Sequence, residues 1–179
     1  PGEPWDGIIA YPGVGEETDF TFGDFTRLRY VDDPSADGLE DAQVKHFSSI
    51  YMHADFADFN GDGKIDVVYS PRRGDALQLF FNTGRRDAGG FPVFAAAGKI
   101  SRQGATWSPC RAVDLNGDGA VDFVCGDVYL RNTNPEGWPI QPASKVTLDA
   151  GQAPCFLDLD SDGQLDAVCL IDGPEDEPR

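Results

Sequence analysis

Basic residues are scarce: 14 lysines and arginines stand against 31 aspartates and glutamates, for a formal charge of −17. So negative a field repels nucleic acid and anionic membranes, and it attracts cations. Long apolar runs are missing too, and none approaches the ~20 residues a membrane-spanning helix needs. Histidine occurs only at His46 and His53, and neither an HExxH nor a nucleophile-elbow pattern is present, so no catalytic constellation stands out. The four cysteines lack the CxxC and His spacing of a zinc site. No glycosylation sequon occurs, since Asn82, Asn132 and Asn134 all lack Ser or Thr two residues on. There is no initiator Met and no visible signal peptide; the chain opens on Pro1 and is expected to derive from a longer precursor. Runs of Ala, Leu, Glu and Lys are absent, whereas 21 glycines and 13 prolines favour short strands joined by tight turns. With 40% hydrophobic residues the chain can still build a core, which excludes wholesale disorder.

What the sequence does have is an internal repeat. DFNGDGKIDVV from Asp58, DLNGDGAVDFV from Asp114 and DLDSDGQLDAV from Asp158 align without gaps. Their starts lie 56 and 44 residues apart, a period suited to propeller blades and too long for a β-helix coil. Calcium takes six to eight hard oxygen ligands at ~2.3–2.6 Å, and a tight loop supplies them from alternate residues. In the first loop the spacing assigns that role to Asp58, Asn60, Asp62 and Asp66 with the carbonyl of Lys64. The second assigns Asp114, Asn116, Asp118 and Asp122 with the carbonyl of Ala120; the third assigns Asp158, Asp160, Asp162 and Asp166 with the carbonyl of Gln164. Gly63, Gly119 and Gly163 follow the third side-chain ligand, where the loop must turn sharply. Three Ca2+ sites are therefore expected, the third binding most tightly because it alone has four carboxylates.

An EF-hand would place a bidentate Glu at the twelfth loop position, before a helix. Tyr69, Cys125 and Cys169 stand there instead, within β-rich runs, so the loops read as turns between strands. The stretch FADFNGDGKIDVVYSP resembles the FG-GAP/VCBS repeats of integrin α-chain propellers and many secreted microbial proteins. Phe56-Ala57-Asp58 takes the FG side of that motif and Tyr69-Ser70-Pro71 the place of GAP; the other two copies keep only the calcium loop. The likeness covers residues 47–170. It implies an all-β fold, a β-propeller of four-stranded antiparallel blades, with calcium between the first two strands of each blade.

On that pattern residues 46–101 form repeat 1, 102–149 repeat 2 and 150–173 a partial repeat 3, followed by an acidic tail at 174–179. Residues 1–45 are irregular, and DGIIAY and TRLRYV within them read as strands. These are expected to be either the outer part of a preceding blade or a strand completing the truncated last one. Propellers have roughly four to eight blades, more than this chain supplies, so a partial ring is expected, completed by the rest of a larger propeller or by other copies.

Cys110 and Cys125 flank the second loop, and Cys155 and Cys169 the third, so two cross-strand disulfides and an oxidising compartment are expected. Cys110 lies four residues before its loop and Cys155 only three, which requires a bulge in one copy. Arg73-Gly74-Asp75 falls on a hairpin tip, where an integrin ligand would sit, but Gly-Asp suits a turn by itself. A loop-like string at Asp33, Ser35, Asp37 and Asp41 has ligand spacing without a following strand, and reads as a solvated acidic loop. Trp5, Trp107 and Trp138 have the chemistry to stack on sugars, although blade packing accounts for most tryptophans in such folds. The reading that results is a secreted or cell-surface, calcium-stabilised binding, adhesion or scaffolding module for a carbohydrate or protein partner. The alternative is an accessory part of a propeller-bearing polysaccharide lyase or hydrolase.

Overall fold

The computed structural model describes residues 8–10, 13–14, 21–22, 26–33, 45–47, 52–71, 76–101, 110–125, 128–134, 142–147 and 152–170. The strands run from two to eleven residues, and among these residues there is no helix. The opening segment contributes β1 (Ile9–Ala10), β2 (Gly13–Val14), β3 (Thr21–Phe22), β4 (Thr26–Arg27), β5 (Arg29–Val31) and β6 (Lys45–His46). Repeat 1 supplies β7 (Met52–Ala57), β8 (Asp66–Pro71), β9 (Ala76–Arg86) and β10 (Pro92–Ser101). Repeat 2 supplies β11 (Cys110–Val113), β12 (Asp122–Cys125), β13 (Val128–Asn132) and β14 (Pro142–Thr147). Repeat 3 ends as the hairpin β15 (Gln152–Leu157) and β16 (Asp166–Leu170).

Repeats 1 and 2 are each a four-stranded antiparallel meander, β7-β8-β9-β10 and β11-β12-β13-β14, which is the blade unit of a propeller. The chain is thus an all-β protein with part of a propeller. Strand β8 shows why its sequence is apolar without alternation: Val67 and Tyr69 enter one buried cluster, while Val68 enters another. A blade is covered on both faces, so both residue parities must be apolar. On one face Phe59, Val68, Leu77, Leu79 and Ile100 of repeat 1 meet Cys110, Phe123, Cys125 and Leu130 of repeat 2. The Phe59 and Phe123 rings stack there at 5.4 Å with planes 18° apart. Burial of such side chains is worth about 1.5–3 kcal/mol each, so this seam holds the two blades together. Beside it the Ala112 N–H of β11 donates to Asp55 Oδ2 of β7 at 2.9 Å, tying the first strands of the two repeats.

Within the described residues the opening segment packs on repeat 1 at its outer edge and on its second face. Strand β5 pairs in parallel with the outer strand of repeat 1, Arg29, Tyr30 and Val31 facing Val93, Phe94 and Ala95, and β6 adds beyond it. The result is a six-stranded sheet in the order β6-β5-β10-β9-β8-β7. The physical reason lies in β10, whose apolar outer edge would otherwise present unpaired backbone groups. Leu28 and Phe47 also cover the second face of repeat 1, packed with Val67, Tyr69, Phe80 and Phe94. Tyr30, Phe47 and Phe80 form a mutual aromatic triad with centroids 4.8–4.9 Å apart. The RGD tripeptide at 73–75, the acidic string over 34–41 and the three tryptophans lie outside the described residues.

Candidate functional site

Each acidic loop bridges the first and second strands of its repeat, and the three are built alike. The first aspartate accepts two backbone N–H groups. Asp58 takes those of Asp62 (3.1 Å) and Gly63 (2.8 Å), Asp114 those of Asp118 (3.1 Å) and Gly119 (2.8 Å), and Asp158 those of Asp162 and Gly163 (both 3.0 Å). The third-position side chain, Asn60, Asn116 or Asp160, accepts from the same fifth-position amide at 2.9–3.1 Å. Asp62, Asp118 and Asp162 in turn accept from the amides of Lys64, Ala120 and Gln164 at 2.8–3.0 Å. Winding the chain this tightly requires positive φ at Gly63, Gly119 and Gly163, between 80° and 89°. A second left-handed residue precedes each, glycine at Gly61 and Gly117 but Ser161 in the third loop.

The ninth-position aspartates close the loops from the start of the outgoing strand. Asp66, Asp122 and Asp166 accept the amides of Phe59, Leu115 and Leu159 at 3.0, 3.3 and 2.9 Å. In the first two repeats the other oxygen accepts a third-strand amide, Asn82 N–H at 2.8 Å or Asn132 N–H at 2.7 Å. Asn82 and Asn132 each also fold an Asx turn, accepting the N–H of Gly84 and Asn134. Sequence reasoning missed this pair, although the Asn-Thr of FFNTG and LRNTN repeats visibly. Burial raises the Asp66 and Asp122 carboxyls above their ordinary value, against the pull of these donors.

Cations already partner two of the loops. Lys64 Nζ lies 2.6 Å from Asp62 Oδ2 and Arg131 Nη2 lies 3.0 Å from Asp118 Oδ2. Lys64 lowers Asp62; the Ala120 amide and then Arg131 lower Asp118. In the third loop the corresponding partner is the neutral amide of Gln164, 3.1 Å from Asp162 Oδ2. The second loop has a further neighbour in Tyr129, whose hydroxyl donates to Asp122 Oδ2 at 2.7 Å and is pushed well above its ordinary range by burial and that carboxylate. Arg131 and Tyr129 were also missed, since both come from the third strand.

In the third loop ligand atoms of Asp158, Asp160 and Asp166 lie within 4.8 Å of one another, the one such trio of acidic, His or Cys groups among the described residues. Like charges so close are costly without a cation. The donors are hard oxygens throughout, with no His or Cys in any loop, a set suited to calcium or magnesium and not to zinc or copper.

Of the expected disulfides, Cys110–Cys125 is formed, joining residues directly opposite in the ladder with Cα atoms 4.2 Å apart. Cys155 is instead a free, exposed thiol facing Val168, and the expected bridge to Cys169 is not made. The ladder slips between Gln152 and Cys155, and Pro154, lacking an N–H, stands at the slip. Between that slip and the loop the ladder keeps the register of the other two repeats, so Cys155, only three residues before its loop, faces Val168 and not Cys169. His53 lies on β7 with Nε2 3.4 Å from Arg111 Nη1; His46 is exposed on β6. Burial, then Arg111, lowers the His53 pKa.

Fold and loops together define a protein of propeller-type blades with acidic hairpin loops. Residues 58–125 match the family model of the FG-GAP-like repeat, which supports the resemblance to that family over this span. The match runs from the first ligand position of loop 1 to the last residue of β12. Neither the curated proteins nor the solved structures contain a match to the chain.

Proposed function

We propose that this chain is a calcium-braced binding module of an extracellular protein, recognising a carbohydrate or protein partner. A propeller-like binding or adhesion module is what an FG-GAP-like repeat points to. The observation that carries the calcium reading is the threefold recurrence of one loop of oxygen donors held by backbone amides, with carboxylates converging in the third copy. Calcium supplies the positive charge that such a cage lacks; the loop residues hold it and lock the two strands together. The Cys110–Cys125 bridge favours an oxidising, extracellular setting. Net charge argues against nucleic acid as the partner.

Chelation tests the metal. A site at a hundredfold excess of calcium over its dissociation constant stabilises the fold by about 2.7 kcal/mol, so excess EDTA must lower the melting temperature by several degrees. A melting curve indifferent to EDTA refutes the reading. Site-resolved titration is expected to find the third loop tightest, since it adds a fourth carboxylate and has no Lys or Arg on its fifth-position aspartate. The partner class is tested by a glycan array run with calcium: binding without depolymerisation is expected, and cleavage of a bound polysaccharide would move the chain to a lyase or hydrolase.

A further inference from the structure

Repeats 1 and 2 place the same strand positions beside their loops but fill them with different chemistry. Val68 and Val124 each stand two residues after the closing aspartate, and across the ladder they face Leu79 and Tyr129. Two residues further along the third strand come Phe81 and Arg131, just ahead of the equivalent Asn82 and Asn132. Leu79 is buried in the main core with Phe81 packed against it, and neither side chain has a donor to offer. Tyr129 and Arg131 turn to their own loop instead. The Tyr129 hydroxyl donates to Asp122 Oδ2 at 2.7 Å and accepts from Asn116 Nδ2 at 3.3 Å. Arg131 Nη2 donates to Asp118 Oδ2 at 3.0 Å. Three of the four side-chain ligand positions of loop 2 are thereby tied to β13.

An ionised carboxylate has about four acceptor sites. The closing Asp166 of loop 3 gives one to the Leu159 amide, and Asp66 of loop 1 gives two, to the amides of Phe59 and Asn82. Asp122 gives three, and its Oδ2 is filled by the Leu115 amide and the Tyr129 hydroxyl together. Among the described residues loop 3 receives only its own donors. We propose that β13 braces the second loop without metal. The Arg131 guanidinium and the Tyr129 hydroxyl take the part that calcium takes in the other two loops, so loop 2 fills last and most weakly. This rests on the calcium reading above. An ion entering loop 2 must compete with Tyr129 for Asp122 and approach a guanidinium held by the third strand. In loop 1 the corresponding cation, Lys64, belongs to the loop itself, and no hydroxyl reaches Asp66.

Calcium titration of the isotope-labelled full chain by NMR reads the loops separately, through the amides of Gly63, Gly119 and Gly163, each hydrogen-bonded to the first aspartate of its loop. Gly119 is expected to respond last, with a dissociation constant at least about tenfold above that read at Gly63. Tyr129→Phe and Arg131→Gln should each strengthen loop 2 severalfold and together close the gap on loop 1, leaving the responses of Gly63 and Gly163 unchanged. In excess EDTA the double variant should melt below the unaltered chain. Saturating calcium should shrink that deficit by the affinity gained, about 1.4 kcal/mol for tenfold. The order of filling in the unaltered chain decides the matter even where a variant does not fold. Gly119 responding with or before Gly63 overturns the proposal. Variants that weaken loop 2, or a melting deficit equal with and without calcium, overturn it as well. Glycine amides indifferent to calcium in all three loops overturn the calcium reading itself, and this proposal with it.

Discussion

Repeats 1 and 3 carry nearly the same loop in opposite surroundings. In repeat 1 the residue after the first aspartate, Phe59, lies in the main core, and the closing Asp66 is buried and receives a third-strand amide. In repeat 3 Leu159 and Val168 are exposed, and Asp160 replaces Asn60 among the ligand positions. The backbone cage is nevertheless the same, amide for amide. Loop conformation is therefore a local property of the D-x-[DN]-x-D-G spacing, whereas loop stability is conferred by the blade beneath it.

The sharpest way to break this comparison is to truncate the equivalent side chains. Phe59→Ala should cost about 3–5 kcal/mol in urea unfolding, the usual range for a buried Phe, and Leu159→Ala no more than about 0.5 kcal/mol. Equal costs would mean that the two repeats are equally supported. Next in size is Ser161→Gly. Ser161 holds φ at 64°, where Gly61 and Gly117 stand in the other loops, so glycine there should stabilise the third hairpin by about 1 kcal/mol. No gain would show that the serine is unstrained.

Acid gives a third, subtler contrast. Burial raises the carboxyls of Asp66 and Asp122 above 3.8, so the stability they contribute is full below 3.8 and lost as pH rises through their raised folded values. Asp62 and Asp118 run the other way; their lowered values favour folding above 3.8 and fail below it. With calcium chelated, lowering the pH from neutral to just above 3.8 should thus raise the melting temperature. With calcium present it should fall, as protons displace the ion. Parallel trends in both buffers would count against the metal. The smallest effect concerns the cation on the first loop: Lys64→Gln should raise calcium affinity there about two- to fivefold, consistent with an exposed ion pair worth up to about 1 kcal/mol, and leave the third loop unchanged.

The three loops were legible because their information lies within nine consecutive residues, where ligand spacing and glycine placement decide the geometry. Strand identities in repeats 1 and 2 followed, since VVYS, LQLFF and FVC have β-branched and aromatic composition. The unread parts depend on distance along the chain. Asn82 and Asn132 serve their loops from 16 and 10 residues beyond the closing aspartate, a difference that only the hairpin lengths set. The place of β5 was hidden because parallel pairing leaves no local signature. Cys155 misled because it stands three residues before its loop where Cys110 stands four, so an unshifted ladder sets it against Val168.

That parallel pairing also has a consequence in time. Arg29 meets Val93 across almost the whole of repeat 1, so the ladder between β5 and β10 closes only after the meander between them has formed. During synthesis the opening segment emerges first and must wait, with Leu28, Tyr30 and Phe47 uncovered, until residues near Ala95 have left the ribosome. The first blade is then sealed by its oldest part, and the order of folding reverses the order of translation.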